Sequence, residues 1–335
     1  MWQRVAIDVS SISSRYPPVD VVKLWIDRTC EIRNLEVLVS MPNEPSFVRK
    51  GHAQAIMNVL RPAMHRWEEL WFFSEAGVLD FPRDLSNAHN LAKLSVSAGI
   101  VDEDAMKIIG PTLHNLPGVI RDLDLEVLDF DSLFLLRQSY PMHLEHLERL
   151  TLRYEGWIQG ILNLLSDVRD SLISADIYVD GQWSCSTEYR SLVPHIPTAS
   201  FTAIRYLKLW IYDANVDLFE YLEMGSLEVI DLSVNWTTVS ERARNIAPLV
   251  GFIINRSDSL QTCTMKFNKS PYDWAAMAFY SPEIMRLRTY MFYNVGLETM
   301  MRYAIAGSPN VFTRIRLIPE ASPSRFTIGW DENDN

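Results

Sequence analysis

A short apolar pattern recurs about twelve times along this chain: an apolar residue, two others, a second apolar residue, one other and a third apolar residue. The second apolar positions are Val5, Leu35, Leu70, Leu94, Leu123, Leu150, Ala175, Leu207, Ile230, Cys263, Tyr290 and Ile315. Their mean step is about 28 residues. The fullest copies stand in one stretch, Ile204-x-x-Leu207-x-Leu209 and Leu227-x-x-Ile230-x-Leu232-x-x-Asn235. A unit this short cannot bury its apolar side alone, so the copies must stack on one another.

Step and spacing together read as a leucine-rich repeat, in which each unit supplies one short strand and one helix or loop. Helical segments are expected between strands: one capped by Asp20 and carrying Val21, Val22, Leu24, Trp25 and Cys30, one near Ala53 to Leu60, and others over Asp102 to Ile109, Trp157 to Val168, Asp213 to Met224, Ser240 to Ile254 and Leu297 to Ala306. Strand, crossover and strand at short spacing predict parallel pairing of consecutive strands with every helix on one side. The expected fold is an α/β leucine-rich-repeat solenoid, a horseshoe with a parallel sheet on the concave face and helices on the convex face. One domain of about 12 repeats is expected over residues 1–318, followed by a cap and acidic tail over 319–335.

Composition narrows the partners. A formal charge of −11 and the lack of any basic run argue against nucleic acid and against an anionic membrane surface. Three cysteines, Cys30, Cys185 and Cys263, lie far apart and suggest neither a disulfide framework nor a metal pair, as suits a reducing compartment. The first residues lack the pattern of a signal peptide, and the longest apolar run, Ile246 to Ile254, is too short to span a bilayer. Triplets of the glycosylation type at Asn235, Asn255 and Asn268 carry little weight without an export signal. The expected location is cytoplasmic or nuclear.

Catalytic motifs are missing: the sequence holds no glycine-rich phosphate loop, no His-Glu-x-x-His, no Cys-x-x-Cys and no Gly-x-Ser-x-Gly. His143 and His146, with Glu145 and Glu148 nearby, could share a helical face as metal ligands, but two histidines without a third committed ligand are commoner on a solvated loop. Asp102-Glu103-Asp104 reads as a helix start. The expectation is a protein that is not an enzyme and needs no cofactor or metal.

If the repeated leucines face the core, the residues between them face the concave surface. These are Ala6 and Asp8, Glu36 and Leu38, Trp71 and Phe73, Ser95 and Ser97, Asp124 and Glu126, Thr151 and Arg153, Asp176 and Tyr178, Lys208 and Trp210, Asp231 and Ser233, Thr264 and Lys266, Met291 and Tyr293, and Arg316 and Ile318. Large aromatic residues and arginine dominate binding energy at protein interfaces, which makes Trp71, Phe73, Arg153, Tyr178, Trp210 and Tyr293 the candidate partner-binding residues. A register off by one would turn any of them into core.

The opening Trp2-Gln3-Arg4-Val5-Ala6-Ile7-Asp8-Val9, the segment from Pro17-Pro18 through Val21 to Arg28, and His65 to Phe72 together resemble F-box/leucine-rich-repeat proteins of mushroom-forming fungi. The resemblance rests on motifs over roughly the first hundred residues and on repeat pattern thereafter. It implies a substrate receptor whose F-box docks on the Skp-type adaptor of a cullin ubiquitin ligase while the repeats hold the protein substrate. The F-box would lie before Trp2, so the chain is read either as a truncated product or as a repeat-only relative, and adaptor docking falls on no residue here. The alternative is a repeat-only scaffold or inhibitor with no ubiquitin link.

Overall fold

The computed structural model describes residues 4–8, 18–29, 34–41, 47–74, 84–98, 112, 115–129, 144–155, 158–180, 199–212, 218–235, 247–255, 259–267, 289–293, 315–319 and 326–330. By contact the chain divides into two units, Met1–Glu155 and Gly156–Asn335.

In the first unit the order is β1 (Arg4–Asp8), α1 (Val19–Arg28), β2 (Leu35–Met41), α2 (Phe47–Leu60) with a 3-10 turn at Arg61–Arg66, β3 (Trp67–Ser74), β4 (Lys93–Ala98), β5 (Asp122–Asp129) and β6 (Arg149–Glu155). Each strand pairs in parallel with the next in sequence. The register carries like residues into like positions: Val37, Leu70, Leu94, Leu123 and Leu150 form one buried row, and Val39, Phe72, Val96, Leu125 and Leu152 a second. Alternation at period two then sends the intervening residues to the other face of the sheet.

The three-residue gap at the start of each motif has a different origin from the two-residue gap. The first apolar residue sits in the corner before the strand: Leu91, Ile120 and Leu147 are buried there, and their amides donate to the carbonyls of Ala88, Pro117 and Leu144. The chain then locks onto the preceding repeat, because the amides of Arg121 and Asp122 both donate to the carbonyl of Ala92, and those of Glu148 and Arg149 both donate to that of Arg121. One carbonyl taking two successive amides satisfies the corner's polar groups and fixes where pairing begins.

The second unit contains α3 (Ile158–Asp167), β7 (Ser174–Asp180), β8 (Ala199–Phe201), β9 (Tyr206–Tyr212), β10 (Leu222–Met224), β11 (Val229–Asn235), α4 (Ala247–Ile254), β12 (Thr262–Phe267), β13 (Thr289–Tyr293), β14 (Ile315–Pro319) and β15 (Phe326–Trp330). Strands β7, β9, β11, β12 and β13 pair in parallel in that order. The corner bond repeats, with Arg205 and Tyr206 donating to Ile173, Glu228 and Val229 to Arg205, and Gln261 and Thr262 to Glu228. Each unit is thus a run of a repeat solenoid built on parallel strands.

Several expectations are corrected. Leu70 lies opposite Val37 rather than Leu35, because the ladder is irregular between Leu35, which faces Trp67, and Glu36, which faces Glu69. Helix α1 begins at Val19 after Pro18, so Asp20 lies in the first turn without capping it, and the amides of Val21 and Val22 donate to the carbonyl of Pro18. Met224 ends a strand rather than a helix: Leu222 and Met224 are buried around exposed Glu223, an alternation of period two, and β10 pairs in parallel with β8 in a separate two-stranded sheet. Ile315 does not open another parallel repeat, since β15, drawn from the expected tail, lies between β13 and β14 and runs antiparallel to both. The helices expected over 102–109 and 297–306 lie outside the described residues. Those near Ala53 and Trp157 are present as α2 and α3, which bury Ile56, Met57 and Leu60, and Ile161, Leu162, Leu164 and Leu165.

Because Leu123 stands in the middle of a fully buried row, Leu123→Ala is expected to cost about 2–5 kcal/mol in urea unfolding. Leu24→Ala, at a position 43% exposed, is expected to change stability by less than about 0.5 kcal/mol in the same measurement.

Candidate protein-binding face

In the first unit Trp71 and Phe73 project from β3 between Leu70, Phe72 and the next buried row, and both are half-buried where Leu70 and Phe72 are wholly buried. The register question therefore resolves with these rings on the outer face of the sheet. Their rings stack at 6.4 Å with planes 27° apart. The Trp71 indole Nε1 donates to Glu69 Oε2 at 3.0 Å, and Lys93 Nζ sits 4.3 Å from the centre of a Trp71 ring. Lys93 is also 3.5 Å from Asp122 Oδ2, which Arg149 Nε approaches to 3.1 Å. Arg153, exposed at the other side of this face, pairs with Glu126.

In the second unit Tyr178 and Trp210 are opposite one another in the ladder, half-buried, while Ile177, Val179 and Leu209 beside them are buried. Their rings stack at 4.0 Å with planes 11° apart, a geometry in which each ring shields the other from water. The same row continues by register through Ser233 and Lys266 to Tyr293. Lys208 and Asp176, in the adjacent row, meet at 2.7 Å, and this hydrogen bond holds the lysine pKa above its usual value.

The six candidates thus fall three to a unit: Trp71, Phe73, Tyr178 and Trp210 are half-buried and Arg153 exposed on the outer face, and Tyr293 holds a register position in the row of Trp210. The row positions first assigned to Glu36 and Leu38 belong to Leu38 and Ser40, following the shift noted at Leu35. Beyond Glu36, sequence reading overlooked the row one step nearer the strand start, Glu69, Lys93, Asp122 and Arg149, in which Glu69 and Lys93 make the polar contacts to Trp71. Its signal was present: opposite charges on successive strands at equivalent positions form cross-strand pairs. His146 is exposed in the turn before β6, and His143 lies outside the described residues. Among the described residues no three histidine, cysteine or acidic side chains gather as metal ligands.

Asp124 is the unusual acid of the face. It accepts a hydrogen bond from Ser95 Oγ at 3.0 Å, and burial pushes its carboxyl pKa up despite that bond. A carboxylate with a raised folded-state pKa opposes folding once ionised, and the opposition is relieved as pH falls through that pKa. Asp124→Asn is therefore expected to raise thermal stability at pH 7, by less than about 1 kcal/mol because solvent screens a half-exposed charge. The gain should vanish in acid, and a melting temperature that falls at pH 7 would show that the charged form is favoured instead.

Compared with known proteins, the chain matches no protein-family model and no curated protein sequence.

Proposed function

We propose that this chain is a protein-interaction module of the leucine-rich-repeat kind, a horseshoe whose concave sheet holds another protein. The observation that carries this reading is a pair of half-buried aromatic rings on the outer sheet face in each unit, Trp71 and Phe73 two residues apart on β3 and Tyr178 opposite Trp210 on β7 and β9. Rings of this size held half-exposed on rigid strands supply contact area at little cost in side-chain entropy. The remaining candidates, Arg153 and Tyr293, complete the docking set. The face offers binding chemistry and the protein acts without catalysis, cofactor or metal.

The role we propose within that class is the substrate-recognition part of an F-box-type subunit of a cullin ubiquitin ligase, working in the cytoplasm or nucleus. This step rests on the resemblance over Trp2 to Val9, Pro17 to Arg28 and His65 to Phe72. A Skp-type adaptor and a cullin are partners of the protein only through an F-box upstream of these residues.

The triple variant Trp71→Ala, Tyr178→Ala and Trp210→Ala tests the face. It is expected to lose crosslinking to the partner by about 100-fold or more, as the loss of two or three interface anchors would give, while its melting temperature shifts by only a few degrees. Collapse of the fold in that variant would place the rings in the core. Co-purification of the Skp-type adaptor with the chain extended by its upstream coding sequence, and not with residues 1–335 alone, is the outcome expected for a ligase receptor.

A further inference from the structure

Strand β4 carries two small side chains, Ser95 and Ser97, in the middle of the first unit's face. By register Ser95 lies between Trp71 on β3 and Asp124 on β5, and Ser97 lies between Phe73 and Glu126. Two small side chains are thus flanked by an aromatic wall and an acidic wall, whose backbones stand about 10 Å apart, two strand spacings. Ser95 is buried, so its neighbours close over it, while Ser97 stays half-buried between Phe73 and Glu126.

Charge on this face is unbalanced. The described side chains in the three outer rows include five carboxylates, Glu36, Glu69, Asp122, Asp124 and Glu126, against three cations, Lys93, Arg149 and Arg153. Each cation already lies beside a carboxylate, Lys93 and Arg149 at Asp122 and Arg153 at Glu126. Asp124 has no cation within ion-pair distance among the described residues; it accepts a hydrogen bond from the Ser95 hydroxyl, and Lys93 acts on it from farther away. Lys93 meanwhile shows what the Trp71 ring attracts, a cation held 4.3 Å from its centre.

We infer that this face receives an arginine side chain of an extended, basic segment in the partner protein, lying across the sheet with its methylene stem along Trp71 and Phe73 and its guanidinium on Asp124. Arginine fits better than lysine because a planar guanidinium stacks on an aromatic face and donates two parallel hydrogen bonds to one carboxylate. Burial raises the cost of the bare Asp124 charge, and an incoming cation removes that cost. The inference rests on the protein-binding reading and names the partner's chemistry.

The test uses the full chain and a short glycine peptide carrying two arginines, compared with the same peptide carrying citrulline, which keeps the shape without the charge. In a chemical-shift titration the arginine peptide is expected to bind about tenfold or more tightly than the citrulline peptide, with weaker binding at higher salt. Asp124→Asn is expected to remove that preference while remaining folded, and Trp71→Phe to weaken binding less than Trp71→Ala. Equal binding of both peptides, an unchanged preference in Asp124→Asn, failure of the arginine peptide to bind, or self-association of the chain through these same residues would each overturn the inference. If a partner is still captured through Tyr178 and Trp210 when any of these results is obtained, the arginine assignment alone falls. If the triple alanine variant also captures the partner normally, the docking face falls with it.

Discussion

One hydrogen-bonding arrangement sets the order of the described repeats: at five corners a single carbonyl accepts two successive amides from the following repeat. It recurs at Ala92, Arg121, Ile173, Arg205 and Glu228. A parallel sheet has no tight turn to set its register, and a slip by one residue would exchange core for surface on every strand. The corner supplies the missing constraint, and the buried apolar residue just before it, Ile120 or Leu227 for example, anchors the corner to the core. The rows of buried leucines are therefore as much a result of this bond as a cause of the fold.

The face opposite those rows derives its character from what period two leaves over. Where strands β3 to β6 present charged side chains, cations and carboxylates fall into cross-strand pairs, and such exposed pairs add little to stability. What they do is order the surface. Lys93 is held between a carboxylate and an indole, and Trp71 between Lys93 and Glu69, so this half-buried ring has its orientation fixed before anything binds. In the other unit the same end is reached by stacking Tyr178 directly on Trp210. Rings fixed in advance lose less freedom on association.

Strand positions were legible in the sequence because burial on one face writes an alternation that survives variation in residue type, as Val37, Leu70 and Leu94 illustrate. The position of Trp71, Phe73, Tyr178 and Trp210 followed from the same alternation. What could not be read was anything decided across repeats rather than within one. Leu35 and Val37 are both apolar and two apart, so only pairing with Trp67 and Leu70 chooses between them. Leu222 and Met224 sit in a segment whose spacing also suits a helix, and pairing with Ala199 and Phe201 makes it a strand. Pairing between Asp124 and Ser95, residues 29 apart, is likewise invisible along the chain.

The corner bond also separates two properties that usually vary together. Ser95 and Asp124 are 29 residues apart and Asp176 and Lys208 are 32 apart, yet each couple occupies adjacent places in an unbroken ladder. Because the carbonyl clamp resets the ladder at the corners where it recurs, the return path between those strands is free to lengthen, shorten or change from helix to strand, as β8 and β10 do, while the ladder on the opposite wall keeps its register. Such a chain can accept insertions and deletions on its outside throughout its evolutionary history while the pattern it shows on the inside stays the same.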